Sequence, residues 1–197
     1  MKSRNLLSLA VAVSLASLSA GAQVMVGGAQ MYSNMDIVDN AMNSKDHTTL
    51  VAAVKAADLV PTLKGAGPFT VFAPTNDAFA QLPAGTVDML LKPANKPMLK
   101  QVLTYHVVPG KWDAAALNAK MSANGGKAYL KTVEGENLCV TSEGGKFVVT
   151  DAKGHMAHVT IEDVTQSNGV ILVVDQVLMP ISNMGPIGAN SLTKNPG

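Results

Sequence analysis

The hydrophobic pattern of this chain changes period once, near Pro109-Gly110, and that change restricts the possible folds more than any single motif does. Before it, apolar residues recur at helical spacing between capping residues. In Asp46-His-Thr-Thr-Leu-Val-Ala-Ala-Val-Lys-Ala-Ala57, Asp46 is placed to cap the free amides of a first turn while Leu50, Val51 and Val54 form one stripe. Pro61 sits just inside a second short helix that Gly65 ends. Phe69 to Ala73 reads as a buried strand closed by Pro74. Thr75 is the expected cap of a helix over 76–81 and Thr86 of one over 87–91; residues 98–105 form a further helix that delivers His106-Val-Val108 into a strand.

Beyond Pro109-Gly110, β-branched runs alternate with Gly-bearing turns. Tyr129–Val133, Leu138–Thr141 and Phe147–Thr150 are separated by Glu-Gly-Glu and Glu-Gly-Gly-Lys, which predicts a meander of hairpins. Asp151-Ala-Lys-Gly154 makes the next turn, and His155–Val164 and Val170–Val174 continue the sheet. Helices first and strands later predict a single α+β domain, with helices of the first half packed on an antiparallel-rich sheet. No internal repeat is present at the 20–50-residue periods of solenoids.

The N-terminus bears on compartment. Lys2 and Arg4, an apolar run from Leu6 to Leu18 and the small residues Ala20-Gly21-Ala22 predict a signal peptide over residues 1–22, cleaved after Ala22. A membrane span needs ~18 or more continuous apolar residues, and this run is shorter. The expected mature protein is therefore secreted or periplasmic, with no transmembrane span. It divides into an N-terminal segment (23–33), one domain (34–181) and a flexible tail (182–197) rich in Asn, Gly, Ser and Pro.

Charge and cysteine usage remove whole classes of function. Fifteen bases against 14 acids become 13 against 14 once Lys2 and Arg4 are cleaved off, and no Lys/Arg run is present. Nucleic acid is not an expected partner, because phosphate binding needs a basic face. The lone Cys139 cannot close an intramolecular disulfide, so packing alone must hold the fold; in Asn137–Thr141 it reads as a buried, inert thiol.

Catalytic motifs are missing too. The chain has no Gly-x-Ser-x-Gly elbow, no phosphate-cradling Gly-x-x-x-x-Gly-Lys-Ser/Thr loop and no Gly-x-Gly-x-x-Gly opening a helix. Glu162 and Asp163 are adjacent in a strand and point to opposite faces, which is wrong for shared acid-base work. A non-enzyme with no catalytic residues and no cofactor is expected. One alternative is an exported small-ligand or copper carrier: His155, Met156 and His158, with Met25, Met31 and Met35, supply imidazole and thioether suited to Cu(I). Strand parity opposes it by placing residues 155 and 158 on opposite faces, so no metal site is assigned.

Three blocks carry a family resemblance. The strand from Phe69 runs into Ala73-Pro-Thr-Asn-Asp-Ala-Phe79; Tyr105-His106 follows; and Asn168-Gly-Val-Ile-Leu-Val-Val-Asp-Gln-Val-Leu-Met-Pro180 closes the series. In this order, over residues 34–181, the chain resembles the fasciclin (FAS1) domain family, of the secreted single-domain bacterial type. The resemblance implies a monomeric adhesion or matrix-binding module whose partner is a cell-surface, matrix or envelope macromolecule. It singles out a face at Phe69, Asn76, Tyr105 and His106 for partner contact. Against that stands a structural reading, in which His106 hydrogen-bonds the Thr75-Asn76-Asp77 turn and locks two segments together. Two departures limit the transfer. Leu172 occupies a closing-strand position where the family commonly carries His, and Arg-Gly-Asp is absent.

Overall fold

The structure, a computed structural model, describes residues 24–181; the expected signal peptide (1–22) and tail (182–197) lie outside the described residues. The chain starts with a hairpin, β1 (Val24–Val26) and β2 (Ala29–Met31), turned by Gly27-Gly28 at φ 59° and 71°, where glycine avoids the steric penalty of a Cβ. Val26 and Met31 are buried in the domain's core, so this segment is part of the packed fold.

Helices α1 (Ile37–Asn43), α2 (Thr48–Ala56) and α3 (Val60–Leu63) precede strand β3 (Phe69–Pro74). Helix α1, which the sequence pattern did not suggest, is capped by Asp36, whose Oδ1 accepts from the Asp39 amide at 2.9 Å. Asp46 does not cap α2 as expected. It lies in a 3-10 turn, Lys45–His47, and the residue before α2 makes no side-chain capping bond. Helices α4 (Asn76–Ala80), α5 (Thr86–Leu90) and α6 (Lys96–Tyr105) then lead into β4 (Val107–Pro109). Thr75 caps α4 through its hydroxyl, which accepts from the Ala78 amide. The residue before α5 is Gly85 at φ 81°, and Thr86, expected as its cap, is already inside the helix.

A second unanticipated helix, α7 (Ala114–Ala123), precedes β5 (Ala128–Lys131), β6 (Asn137–Glu143), β7 (Lys146–Thr150), β8 (Met156–Gln166) and β9 (Gly169–Val174). Two carboxylates start α7. Asp113 accepts from the Ala116 amide at 3.0 Å and Asp163 from the Ala114 amide at 2.7 Å. Asp163 reaches there because β8 is irregular between Ile161 and Val164, with Asp163 itself at φ 57°.

Seven strands form one sheet in the order β4-β3-β9-β8-β7-β6-β5. Every neighbouring pair is antiparallel except β3 with β9, which run parallel from Phe69↔Gly169 to Pro74↔Val174. The fold is thus α+β, as expected, with a mixed sheet. At the start of the parallel pair a Cβ on residue 169 would fall 1.9 Å from the Phe69 carbonyl oxygen, so only glycine permits this approach.

The central strands are buried on both faces, which is why β9 reads as an unbroken apolar run instead of alternating. Val71, Ala73, Val107, Ile171 and Val173 pack into one core cluster beneath the helices of the first half. Phe72, Val108, Leu172 and Val174 face a second cluster, completed by Tyr105, Leu117 and the inner residues of β5 to β7. Leu172, at the closing-strand position for which the resemblance implies an imidazole, is fully buried in this second core.

Candidate functional site: a latch around Tyr105 and His106

Helix α6 ends at Tyr105, and His106 turns the chain into β4. Both side chains are inside the protein, with Tyr105 at 0% and His106 at 2% exposure. The imidazole is satisfied at both nitrogens. Nδ1 lies 2.7 Å from the Val102 carbonyl, and Nε2 lies 2.9 Å from the Leu178 amide. A carbonyl only accepts and a backbone N–H only donates, so the ring must be neutral with its proton on Nδ1. Burial pushes its pKa down to about 4, against the milder opposing pull of the Val102 carbonyl and the Asp151 carboxylate.

The Tyr105 hydroxyl donates to the Asn137 carbonyl at 3.3 Å and accepts from the Ala152 amide at 2.9 Å. Burial raises its pKa well above the ordinary phenol value. Neither Tyr105 nor His106 offers surface to a partner, which corrects the contact role drawn from the family resemblance. The lock to the Thr75-Asn76-Asp77 turn is not formed. The long-range partner of His106 is residue 178, beyond the last strand.

That partner belongs to a strap. Asp175 keeps one backbone bond to β8, donating to the His158 carbonyl at 3.2 Å, and residues 176–181 then leave the sheet, yet Val177 is buried in the first core and Leu178 in the second. Three side chains from three distant places accept its amides: His106 from Leu178 at 2.9 Å, Asp151 from Met179 at 3.0 Å, and Glu136 from Ile181 at 2.9 Å. Asp151, in the β7–β8 turn, is the hub. Its carboxylate also accepts from the Lys153 and His155 amides, and its Oδ2 lies 3.0 Å from His155 Nδ1. In the sequence Asp151 has the marks of a turn former only, and nothing in its neighbourhood signals a bond to residue 179.

The turn assigned to the lock has its own work. Asn76 Oδ1 accepts from the Thr49 amide at 3.0 Å and the Thr48 hydroxyl at 3.2 Å, while its Nδ2 donates to the Lys45 carbonyl at 2.8 Å. It is a helix cap supplied from outside, filling the place that Asp46 leaves empty on α2. Asn76→Ala is expected to lower stability by ~1–2 kcal/mol, read from urea unfolding curves, since the α2 amide loses its acceptor. Asp77 is exposed beside it. Phe69 is half-buried and packs on the first core, and Asn76 is half-buried with both ends of its amide bonded.

The methionines and histidines are not brought together. His155 pairs with Asp151, while His158 Nδ1 lies 3.2 Å from Asp175 Oδ2. Met31 is buried and Met25 is exposed. Among the described residues no group of three or more His, Cys, Asp or Glu side chains is placed to hold a metal ion. Cys139 is half-exposed, not buried as expected. The ladder shows why: Tyr129↔Cys139, Cys139↔Thr150 and Thr150↔Met156 are directly paired, so these four residues share one row on the outer face of β5 to β8. Tyr129 and Met156, at its ends, are 56% and 50% exposed.

Comparison with known proteins agrees with this architecture. The fasciclin domain family model matches residues 45–180. Protein sll1483 of Synechocystis sp. is 49% identical over 156 residues, covering 79% of each chain. Immunogenic protein MPB70 of Mycobacterium bovis is 36% identical over 145 residues, covering 71% of this chain and 66% of its own. Among solved structures, a FAS1 domain pair from the insect cell adhesion molecule fasciclin I superposes with a TM-score of 0.65 at 18% identity, over 74% of this chain and 51% of that one, which is a likeness of fold. With the strand-cap-helix block, the buried Tyr-His pair and the closing strand all in place, the chain belongs to the fasciclin domain family.

Proposed function

We propose that this protein is an exported, non-enzymatic binding module that attaches to a macromolecule at the cell surface, in the envelope or in an extracellular matrix. Export rests on the basic, apolar and small-residue order of residues 1–22. Among the described residues no helix is long and apolar enough to cross a membrane. The family supports the binding role, since its fold serves in an insect cell adhesion molecule.

The observation that carries the reading is the outer row of β5 to β8. Tyr129 and Met156 stand exposed on one sheet face, with backbones roughly 14 Å apart at the usual strand spacing. An accessible tyrosine concentrates contact energy, and methionine adapts to an irregular partner surface. The buried Tyr105 packs in the core on the opposite face of these strands and bonds the Asn137 carbonyl of β6, so it backs the row without facing a partner.

The test compares wild type with the double variant Tyr129→Asp, Met156→Asp in retention of surface and matrix proteins on immobilised protein. Expected is retention reduced about tenfold or more at an unchanged melting temperature, because two hot-spot side chains are each worth about 1 kcal/mol or more. Equal retention by both would place contact elsewhere. A hydrolytic or redox activity tracking the pure protein would overturn the reading as a whole.

A further inference from the structure

A slot opens between α1, α2 and α3 and runs down to β3, β4 and the end of α6. Its floor is aliphatic: Ile37, Val54, Leu63, Val71, Leu103 and Val107. Its rim is the half-buried trio Ala41, Val51 and Val60 together with the exposed Lys55. The enclosed part measures about 40 Å³. It offers water no partner, because the one polar side chain in its wall, His106, has both ring nitrogens bonded inside the protein. A roomy site without two or more polar partners does not hold water well, and apolar cavities of this kind stay dry and accept apolar guests.

The occupant is indicated by the rim. Lys55 makes no ion pair among the described residues, so the slot combines a dry aliphatic floor with a single unpaired cation at its mouth. We propose that this slot binds a straight-chain aliphatic carboxylate, with the tip of the chain against Val54, Leu103 and Val107 and the carboxylate at the Lys55 ammonium. The enclosed space has room for about three methylene-sized groups at ~10–15 Å³ each. The remaining methylenes lie along Val51 and Val60. A neutral planar or polar ligand would leave the cation unmatched, and a dianion would exceed it.

The experiment titrates the purified full chain with decanoate, octanoate and decan-1-ol below their aggregation concentrations, following methyl groups by NMR. Expected are saturable shifts confined to methyls that line the slot, those of Ile37, Val51, Val54, Val60, Leu103 and Val107, with decanoate tighter than octanoate by up to about fourfold for each added methylene. Lys55→Glu weakens decanoate about fivefold or more and leaves decanol unchanged, since the lost partner is a solvent-exposed ion pair. Ala41→Leu, which fills the slot from its rim, abolishes binding of both; Val51→Phe does the same from the α2 side and serves if the first variant unfolds. Shifts scattered over the surface, no saturation, or equal loss of decanol and decanoate in Lys55→Glu would overturn the assignment.

Discussion

Replacing His106 by alanine lowers the unfolding free energy by about 3–5 kcal/mol, whereas His158→Ala changes it by no more than ~0.5 kcal/mol. The contrast follows from where each ring sits. Truncating His106 strands the Val102 carbonyl and the Leu178 amide in the interior, at ~1–3 kcal/mol for each orphaned group, and leaves a hole between the two cores. His158 is half-exposed, and its contact with Asp175 is a surface pair that solvent screens. For a domain whose total stability is about 5–15 kcal/mol, the first change is severe. Urea unfolding at neutral pH decides it. The strap should show the same weakness locally, with faster hydrogen exchange at Leu178 and Met179 than in β9.

Acid removes stability before the carboxylates titrate. His106 is held neutral in the folded protein with a pKa near 4, below its ordinary value of 6.5, because burial penalises the charged ring. His47 is also shifted down, first by burial, with the Ala73 carbonyl and Asp46 opposing. Its Nδ1 faces the Ser44 hydroxyl at 2.9 Å, while its Nε2 has no hydrogen-bond partner. Between pH 6.5 and 4 the unfolded chain therefore binds more protons than the folded one, so stability rises with pH across that window. It is fully present above about 6.5, falls as pH drops, and His106 alone accounts for ~2–3 kcal/mol by pH 4.5. Unfolding curves at pH 7 and 4.5 should show this loss in wild type and a clearly smaller one in His106→Gln, with His47 supplying the remainder. Equal stability at the two pH values would mean that the ring is accessible to protons in the folded state.

How much of this was legible depends on how far apart in sequence the partners lie. The strand at Phe69, its closure by Pro74 and the Thr75 cap are local, and the structure reproduces them. The β5 to β9 meander was visible because turn glycines punctuate β-branched runs. Helix α7 was missed because only Leu117 and Met121 of its ten residues are buried, too few to show a helical stripe. Its three alanines after Asp113 were the available signal. Asp46 looked like a cap by spacing, yet α2 takes its cap from Asn76, 27 residues away from Thr49.

The latch was half legible for the same reason. A buried imidazole at a helix end demands partners, and that much follows from chemistry. Which partners it finds is set by the strap's return across both cores, 72 residues later, and no spacing rule reports that. Glu136 and Asp151 likewise read as turn residues until the strap is laid between them.

The Tyr-His pair is an internal latch on the strap, with its imidazole neutral and closed to solvent. Long-range nitrogen–proton NMR of the His106 ring, followed from pH 7 down to 4.5, tests it most directly. The predicted result is a ring protonated at Nδ1 only, with no titration above about pH 5. A ring that exchanges both tautomers and titrates near its ordinary value of 6.5 would contradict it, and would return His106 to the surface as a candidate for partner contact.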